Sequence, residues 1–155
     1  MKRIAVFLLC IPMLFLSSCG EPPTVQSDFS ASFTARYEDI DYAGAVTKED
    51  DCLDVILSQP YTVSGMTFCW EGSALSVRYM DHSAGANADY LPADSVPAAL
   101  HNALAYLPQA AYTGTENGED RFTLPTPYGD AELTAQDGIP KSLTVPNSGT
   151  VFVFE

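Results

Sequence analysis

The chain has 155 residues, with 20 acidic side chains against seven basic ones and a formal net charge of −13 at pH 7. That sign excludes nucleic acid as a partner, which needs clustered lysine and arginine, and it repels an anionic membrane surface. The length suffices for one domain around one core, and the four cysteines show no paired spacing and no nearby histidine of the kind a zinc site requires.

The chain opens with Lys2-Arg3, an apolar run from Ile4 to Phe15, and then Leu16-Ser17-Ser18-Cys19. A basic start, a short apolar stretch and small residues form the layout of an export signal. Twelve apolar residues fall short of the ~20 that a membrane-spanning helix needs. The Leu-Ser-Ser-Cys end resembles the bacterial lipobox. That resemblance implies cleavage before Cys19 and transfer of diacylglycerol to its thiol, so the protein is expected outside the cytoplasm, held on the cell membrane by lipid. Residues 1–18 are then a signal peptide, 19–27 a lipidated, proline-containing tether, and 28–155 a single β-rich domain. Loss of Lys2 and Arg3 leaves five basic residues and a formal charge of −15, so the lipid and not the folded surface supplies the anchor.

Beyond the tether, alternation of apolar and polar residues predominates. Phe29, Ala31, Phe33, Ala35 and Tyr37 form one stripe and Ser30, Ser32, Thr34 and Arg36 the other, which predicts a half-buried strand. Strands are predicted next at Tyr42–Thr47, Cys52–Ser58 and Met66–Trp70. A tight Glu71-Gly72 hairpin into Ala74–Met80 would set Phe68 opposite Leu75 and Met66 opposite Val77, all on one face.

The period changes once. Asp94-Ser95 can cap a helix with Pro97 in its first turn, and Leu100, Ala103, Leu104 and Leu107 give the helical stripe before Pro108 ends it. Strands then resume at Ala111–Thr115 and Asp120–Leu124, joined by the type I′ signal Asn117-Gly118. They continue at Asp130–Ala135, Pro140–Val145 and Thr150–Phe154. Val151-Phe152-Val153-Phe154 is apolar on both faces, which places it centrally in the sheet or beneath a second cover.

Five strands, a helix and five strands with short connections make an antiparallel meander whose apolar face must be covered. One helix cannot cover a flat sheet of that width. The expected fold is mainly β (α+β): a strongly curved antiparallel sheet, or half-barrel, of about ten strands packed on one α-helix. A two-sheet sandwich is the other arrangement the order allows.

Export permits a disulfide, and Cys52 and Cys69 both fall on the polar face of strands expected to be neighbours. They are read as a bridge, or else as two free thiols. Leu53-Asp-Val-Ile-Leu-Ser-Gln-Pro60, Gly65-Met-Thr-Phe68 and Leu75-Ser-Val-Arg-Tyr79, following a lipobox, resemble the strand–proline–strand–strand run of the LolA/LolB/LppX-like lipoprotein carriers. The resemblance implies an apolar cavity between sheet and helix that holds an acyl chain or other amphipathic ligand, here lined by Phe33, Leu57, Phe68, Val77, Leu100 and Leu104. The long N-terminal helix usual before the first strand of those carriers is missing. The same six residues also read as ordinary close-packed core.

The acidic groups Glu38-Asp39-Asp41, Glu49-Asp50-Asp51 with Asp54, and Glu116-Glu119-Asp120 lack calcium-loop spacing and read as solvated loops. His82 and His101 stand apart from any nucleophile or metal pattern. No metal or other cofactor is expected. The leading expectation is a membrane-tethered, non-enzymatic lipoprotein that holds a hydrophobic ligand. The alternatives are an envelope protein-interaction module with an acidic surface and, third, a hydrolase built on an unrecognised carboxylate pair.

Overall fold

The computed structural model describes residues 21–155, so the segment read as an export signal and Cys19 lie outside the described residues. The strands are β1 (Phe29–Tyr37), β2 (Ile40–Glu49), β3 (Cys52–Gln59), β4 (Thr67–Glu71), β5 (Ala74–Tyr79) and β6 (His82–Asn87). The helix α1 (Val96–Leu104) follows, and then β7 (Ala111–Glu116), β8 (Glu119–Thr126), β9 (Gly129–Gln136), β10 (Ile139–Val145) and β11 (Thr150–Phe154). All eleven strands form one open antiparallel sheet in the order β6-β5-β4-β3-β2-β1-β11-β10-β9-β8-β7. A curved sheet on one helix is therefore the observed architecture, with one strand more than expected. The extra strand is β6, whose Ser-Ala-Gly-Ala centre carries no apolar alternation.

Strand parity sorts the residues as the pleat demands. Phe33, Val46, Val55, Phe68, Trp70, Leu75, Phe122, Leu133, Leu143 and Phe152 are buried on one face. The other face is open, with Ile56, Val151 and Val153 each nearly half exposed. β11 lies between β1 and β10, so its doubly apolar sequence marks a central strand whose second face meets water.

α1 covers the apolar face. Seven of its nine residues are buried, and Leu100, Ala103 and Leu104 are wholly so. The helix touches β8 and β10 on one half of the sheet and stacks His101 on Trp70 of β4 on the other, so the sheet curls around it. Ser95 occupies the capping position, but its hydroxyl donates to the Pro92 carbonyl at 2.7 Å. Asp94 accepts a hydrogen bond from the Tyr37 hydroxyl at 3.2 Å. α1 stops at Leu104, three residues short of the predicted Leu107, and a 3-10 turn over Leu107–Gln109 follows. Pro108 accounts for the early stop, because it has no N–H to donate to the Leu104 carbonyl four residues back and its ring crowds that carbonyl.

Two details of register differ from expectation. The β4–β5 hairpin turns at Gly72-Ser73, with Glu71 opposite Ala74 and Phe68 opposite Val77. Gly72, at φ 55°, takes the left-handed position that the turn needs. The slip is two residues, so every side chain keeps its face. The Cys52–Cys69 bridge is not formed. Cys52 pairs with Glu71 and Cys69 with Asp54, and both thiols are free. A diagonal pair on neighbouring strands stands ~7–8 Å apart, beyond the usual span of a disulfide.

Ahead of β1 the chain is irregular but not loose at its end. Val25 packs against the core, and the Gln26 N–H donates to the Gly138 carbonyl in the β9–β10 turn at 2.9 Å.

Curvature in the first half of the sheet centres on Gly44, opposite Phe33 and beside a register shift between β2 and β3. A Cβ there would lie 2.2 Å from the Ile56 carbonyl oxygen and 3.0 Å from the Phe33 ring. Gly44→Ala should therefore destabilise the fold by at least about 2 kcal/mol, the scale of overpacking. A lowered urea midpoint checks this, and an unchanged midpoint would mean that the β2–β3 crossing is not close-packed.

Candidate functional site

Among the described residues, the six expected to line a sheet–helix cavity lie within the packed core. Phe33, Leu57, Phe68, Leu100 and Leu104 belong to one continuous buried cluster, and half-buried Val77 packs against it. The concavity is filled by the helix itself. Of the six, Leu104 also borders a cavity, and that cavity lies beside the helix.

The open space runs along the flank of α1 that faces β4. Trp70 is the last core-facing residue of β4 and is 1% exposed. Its indole stacks on Phe68, two residues earlier on the same face, with ring centroids 5.9 Å apart. It stacks more closely on His101 of α1, at 4.7 Å with ring planes 11° apart. Together His101 and Gly72 wall two cavities. The smaller, of 160 Å³, is bordered by Lys48, Asp50, Asp51, Cys52, Leu53, Leu104 and Pro108. The larger, of 660 Å³, is bordered by Trp70, Asn87, Leu91, Ala98, Asn102 and Tyr128.

Lys48 is the unusual member. It follows Val46 on the apolar face of β2, between Phe29 and Leu53 on the adjacent strands. It is only 7% exposed. Its ammonium donates to the Asp50 carbonyl at 2.5 Å. Among the described residues the ion pairs are Arg36–Asp39 and Arg121–Glu116, and Lys48 takes part in neither. Asp50 and Asp51 stand on the same cavity wall without pairing with it, and the lysine's aliphatic stem packs in the apolar stripe while its ammonium reaches the cavity. The C-terminal end of α1, represented by Ala105 on the same cavity wall, also favours a positive charge there through the helix dipole.

Burial pushes the His101 pKa below its ordinary value. A contact with the Asn102 side chain opposes this, and the nearby positive charge of Lys48 adds to it. The imidazole is therefore neutral at pH 7, with its ring stacked flat on the Trp70 indole. Burial also pushes the Cys69 thiol up, helped by Asp54 and opposed by Arg78. Cys69 faces away from the two cavities, whereas Cys52 opens onto the smaller one.

The acidic groups remain apart. Glu38, Asp39 and Asp41 stand exposed at the β1–β2 turn, and Glu49, Asp50 and Asp51 at the β2–β3 turn. Glu116 pairs with Arg121, and Asp120 accepts from the Thr115 hydroxyl at 2.7 Å. Among the described residues no three His, Cys, Asp or Glu side chains converge to hold a metal ion. No described helix is long and apolar enough to cross a membrane.

Sequence reasoning missed Lys48, Trp70, His101 and Tyr128 as neighbours. One signal was available. Tyr42, Gly44, Val46 and Lys48 share a parity, so a strand carried two residues further places a lysine in the apolar stripe.

Comparison with family models and with curated proteins finds no match. Among solved structures the chain is similar to a LolA superfamily protein from Nitrosomonas europaea. The two are 12% identical, with 83% of each chain covered and a TM-score of 0.45. It is also similar to a chain in the structure of the CwlD amidase from Clostridioides difficile in complex with the GerS lipoprotein. That identity is 11%, with 76% of this chain and 74% of that one covered, and a TM-score of 0.42.

A pH dependence follows from His101. Its folded pKa lies below the ordinary value of 6.5, so the unfolded chain takes up the proton first as pH falls. The stability due to the neutral ring is complete above that ordinary value and is lost as pH drops from there through the folded pKa. A His101→Phe variant keeps an aromatic ring on Trp70 and removes the titration. The gap between wild-type and variant melting temperatures should shift against wild type from about pH 7.5 to about pH 5; a constant gap would refute the buried neutral ring.

Proposed function

We propose that the protein is a lipid-anchored, extracytoplasmic, non-enzymatic binding protein that takes an amphipathic ligand with an anionic end in the cleft beside α1. The observation that carries this reading is Lys48, a buried ammonium without a carboxylate partner, on the wall of a small cavity adjoining a 660 Å³ cleft. That volume falls within the ~300–1,000 Å³ usual for small-ligand sites. An anionic group would pair with the Lys48 ammonium, which neither Asp50 nor Asp51 on the same wall engages, and Leu91, Ala98 and Tyr128 offer apolar surface to the remainder of the ligand. The filled concavity argues against carriage between helix and sheet.

The anchor rests on the Leu-Ser-Ser-Cys sequence. Because Val25 packs on the core and Gln26 is hydrogen-bonded to the β9–β10 turn, only residues 20–24 intervene between Cys19 and the folded body. Fully extended they span roughly 20 Å, so the domain sits against the bilayer. Cys19→Ser should move the protein from the membrane to the soluble fraction with its melting temperature unchanged. A variant that remains membrane-bound would show that the folded surface itself anchors.

Trp70 is the chain's one tryptophan, so its emission reports on the cleft. Titration of the purified full chain with a long-chain fatty acid should change that emission saturably, and Lys48→Met should weaken binding about tenfold, equivalent to ~1.4 kcal/mol. An absent signal, or equal affinity in the variant, would overturn the reading. A second reading is a protein-interaction module, favoured by the exposed carboxylates at the β1–β2 and β2–β3 turns. Its mark would be capture of a basic envelope protein that weakens with salt.

A further inference from the structure

An open sheet has two edge strands, and here they differ. β7 carries a register shift between Tyr112 and Gly114, and it ends at Glu116, paired with Arg121. A bulge and charges are the usual protection of an edge against pairing with another chain. β6 has neither. It pairs with β5 in unbroken register from Tyr79–His82 to Ala74–Asn87. All six of its residues, His82-Ser-Ala-Gly-Ala-Asn87, are exposed, and none is proline, acidic, lysine or arginine.

Its surroundings are apolar in the same place. The three most exposed large hydrophobic residues are Tyr61 at 92%, Met80 at 81% and Tyr90 at 81%. Met80 forms the β5–β6 turn at one end of β6. Tyr61 stands by that end, because the Tyr79 hydroxyl donates to the carbonyl of Thr62 at 3.4 Å. Tyr90 closes the 3-10 turn that follows Asn87 at the other end. An unpaired row of backbone groups and the most water-exposed apolar side chains thus coincide.

We propose that β6 is a dimer interface, pairing antiparallel with β6 of a second copy about a twofold axis. Self-complementarity selects this occupant. The twofold turns the Tyr61–Met80 end of one copy onto the Tyr90 end of the other, so each apolar end covers its counterpart. In a chain with 20 acidic residues the strand itself is free of carboxylates, so two copies meet here without direct repulsion. Charge also sets the register. An axis through Gly85 would put Asp81 opposite Asp89 of the other copy, a like-charge pair. An axis through Ala84 puts Ala84 against Ala84, His82 against Ala86, Asp81 against Asn87 and Met80 against Ala88. The Ala84 register is the one proposed, and it extends the sheet continuously through both copies. The protected β7 edge leaves no second site, so assembly stops at two.

Directly opposed residues bridge readily once both are cysteine. In the full chain, kept in mild detergent with Cys52→Ser and Cys69→Ser, Ala84→Cys should give about tenfold more disulfide-linked dimer than Ser76→Cys on β5, because a bridge needs Cβ atoms ~3.5–4.5 Å apart. Ala84→Glu, placed on an exposed residue, should halve the native mass while the circular dichroism spectrum stays that of the wild type, and the melting temperature should lose its dependence on protein concentration. Equal cross-linking at the two positions would overturn the proposal. So would a single-chain native mass for the unmodified protein, or cross-linking of Ala84→Cys to a different polypeptide.

Discussion

Everything in this molecule depends on a helix of nine residues filling the hollow of an eleven-stranded sheet. The sheet has one apolar face, and among the described residues α1 and its flanking turns supply most of its cover, with Val25 ahead of β1 adding to it. Ala98, Ala99 and Ala103 let the helix lie close, while Leu100 and Leu104 reach the sheet with no surface left in water. A short plug for a wide sheet forces the strands to bend towards it. Phe33 over Gly44, Phe152 edge-on to Phe33, and Trp70 against His101 show where the bend is consolidated. The same shortage of cover leaves both sheet edges open and leaves a cleft along the helix flank.

Much of this was legible in the sequence. β1 was read to the residue because its two stripes are clean over nine positions, and Asn117-Gly118 marks its hairpin by the positive φ that both residues adopt. The helix was read because its period and its prolines agree. β6 escaped because an edge strand that buries nothing has no apolar stripe to show. The β4–β5 register slipped by two because Phe68 fits either Leu75 or Val77 equally well as a neighbour, and parity alone cannot choose.

The site was less legible, for a different physical reason. Spacing along one strand or helix shows which residues share a face, and it shows nothing about which face of another element they meet. Trp70 and His101 lie 31 positions apart and share no periodicity, so their stacking is purely tertiary. The six apolar residues expected around a ligand have the character of a cavity lining and of a core alike, and only packing separates the two. Lys48 was hidden by its position at the end of β2, where a lysine reads as part of the acidic turn that follows. In the folded chain it is a cation drawn in between Phe29 and Leu53, at the point where the helix ends.

β11 is the final strand, yet it stands seventh from one edge of the sheet and fifth from the other. It joins β1 to β10 and holds Glu155 and Ser32 in reciprocal backbone hydrogen bonds of 3.0 and 3.1 Å. Ten strands therefore precede, in order of synthesis, the one that makes them a single sheet. Until Thr150–Phe154 arrives, β1–β6 and β7–β10 are two separate meanders, and the contacts that unite them are the longest-range in the chain. Such closure is slow, because the loop entropy is spent before the strands pair. Thr150–Phe154 is thus the keystone of the sheet, and the two meanders wait for it as separate halves.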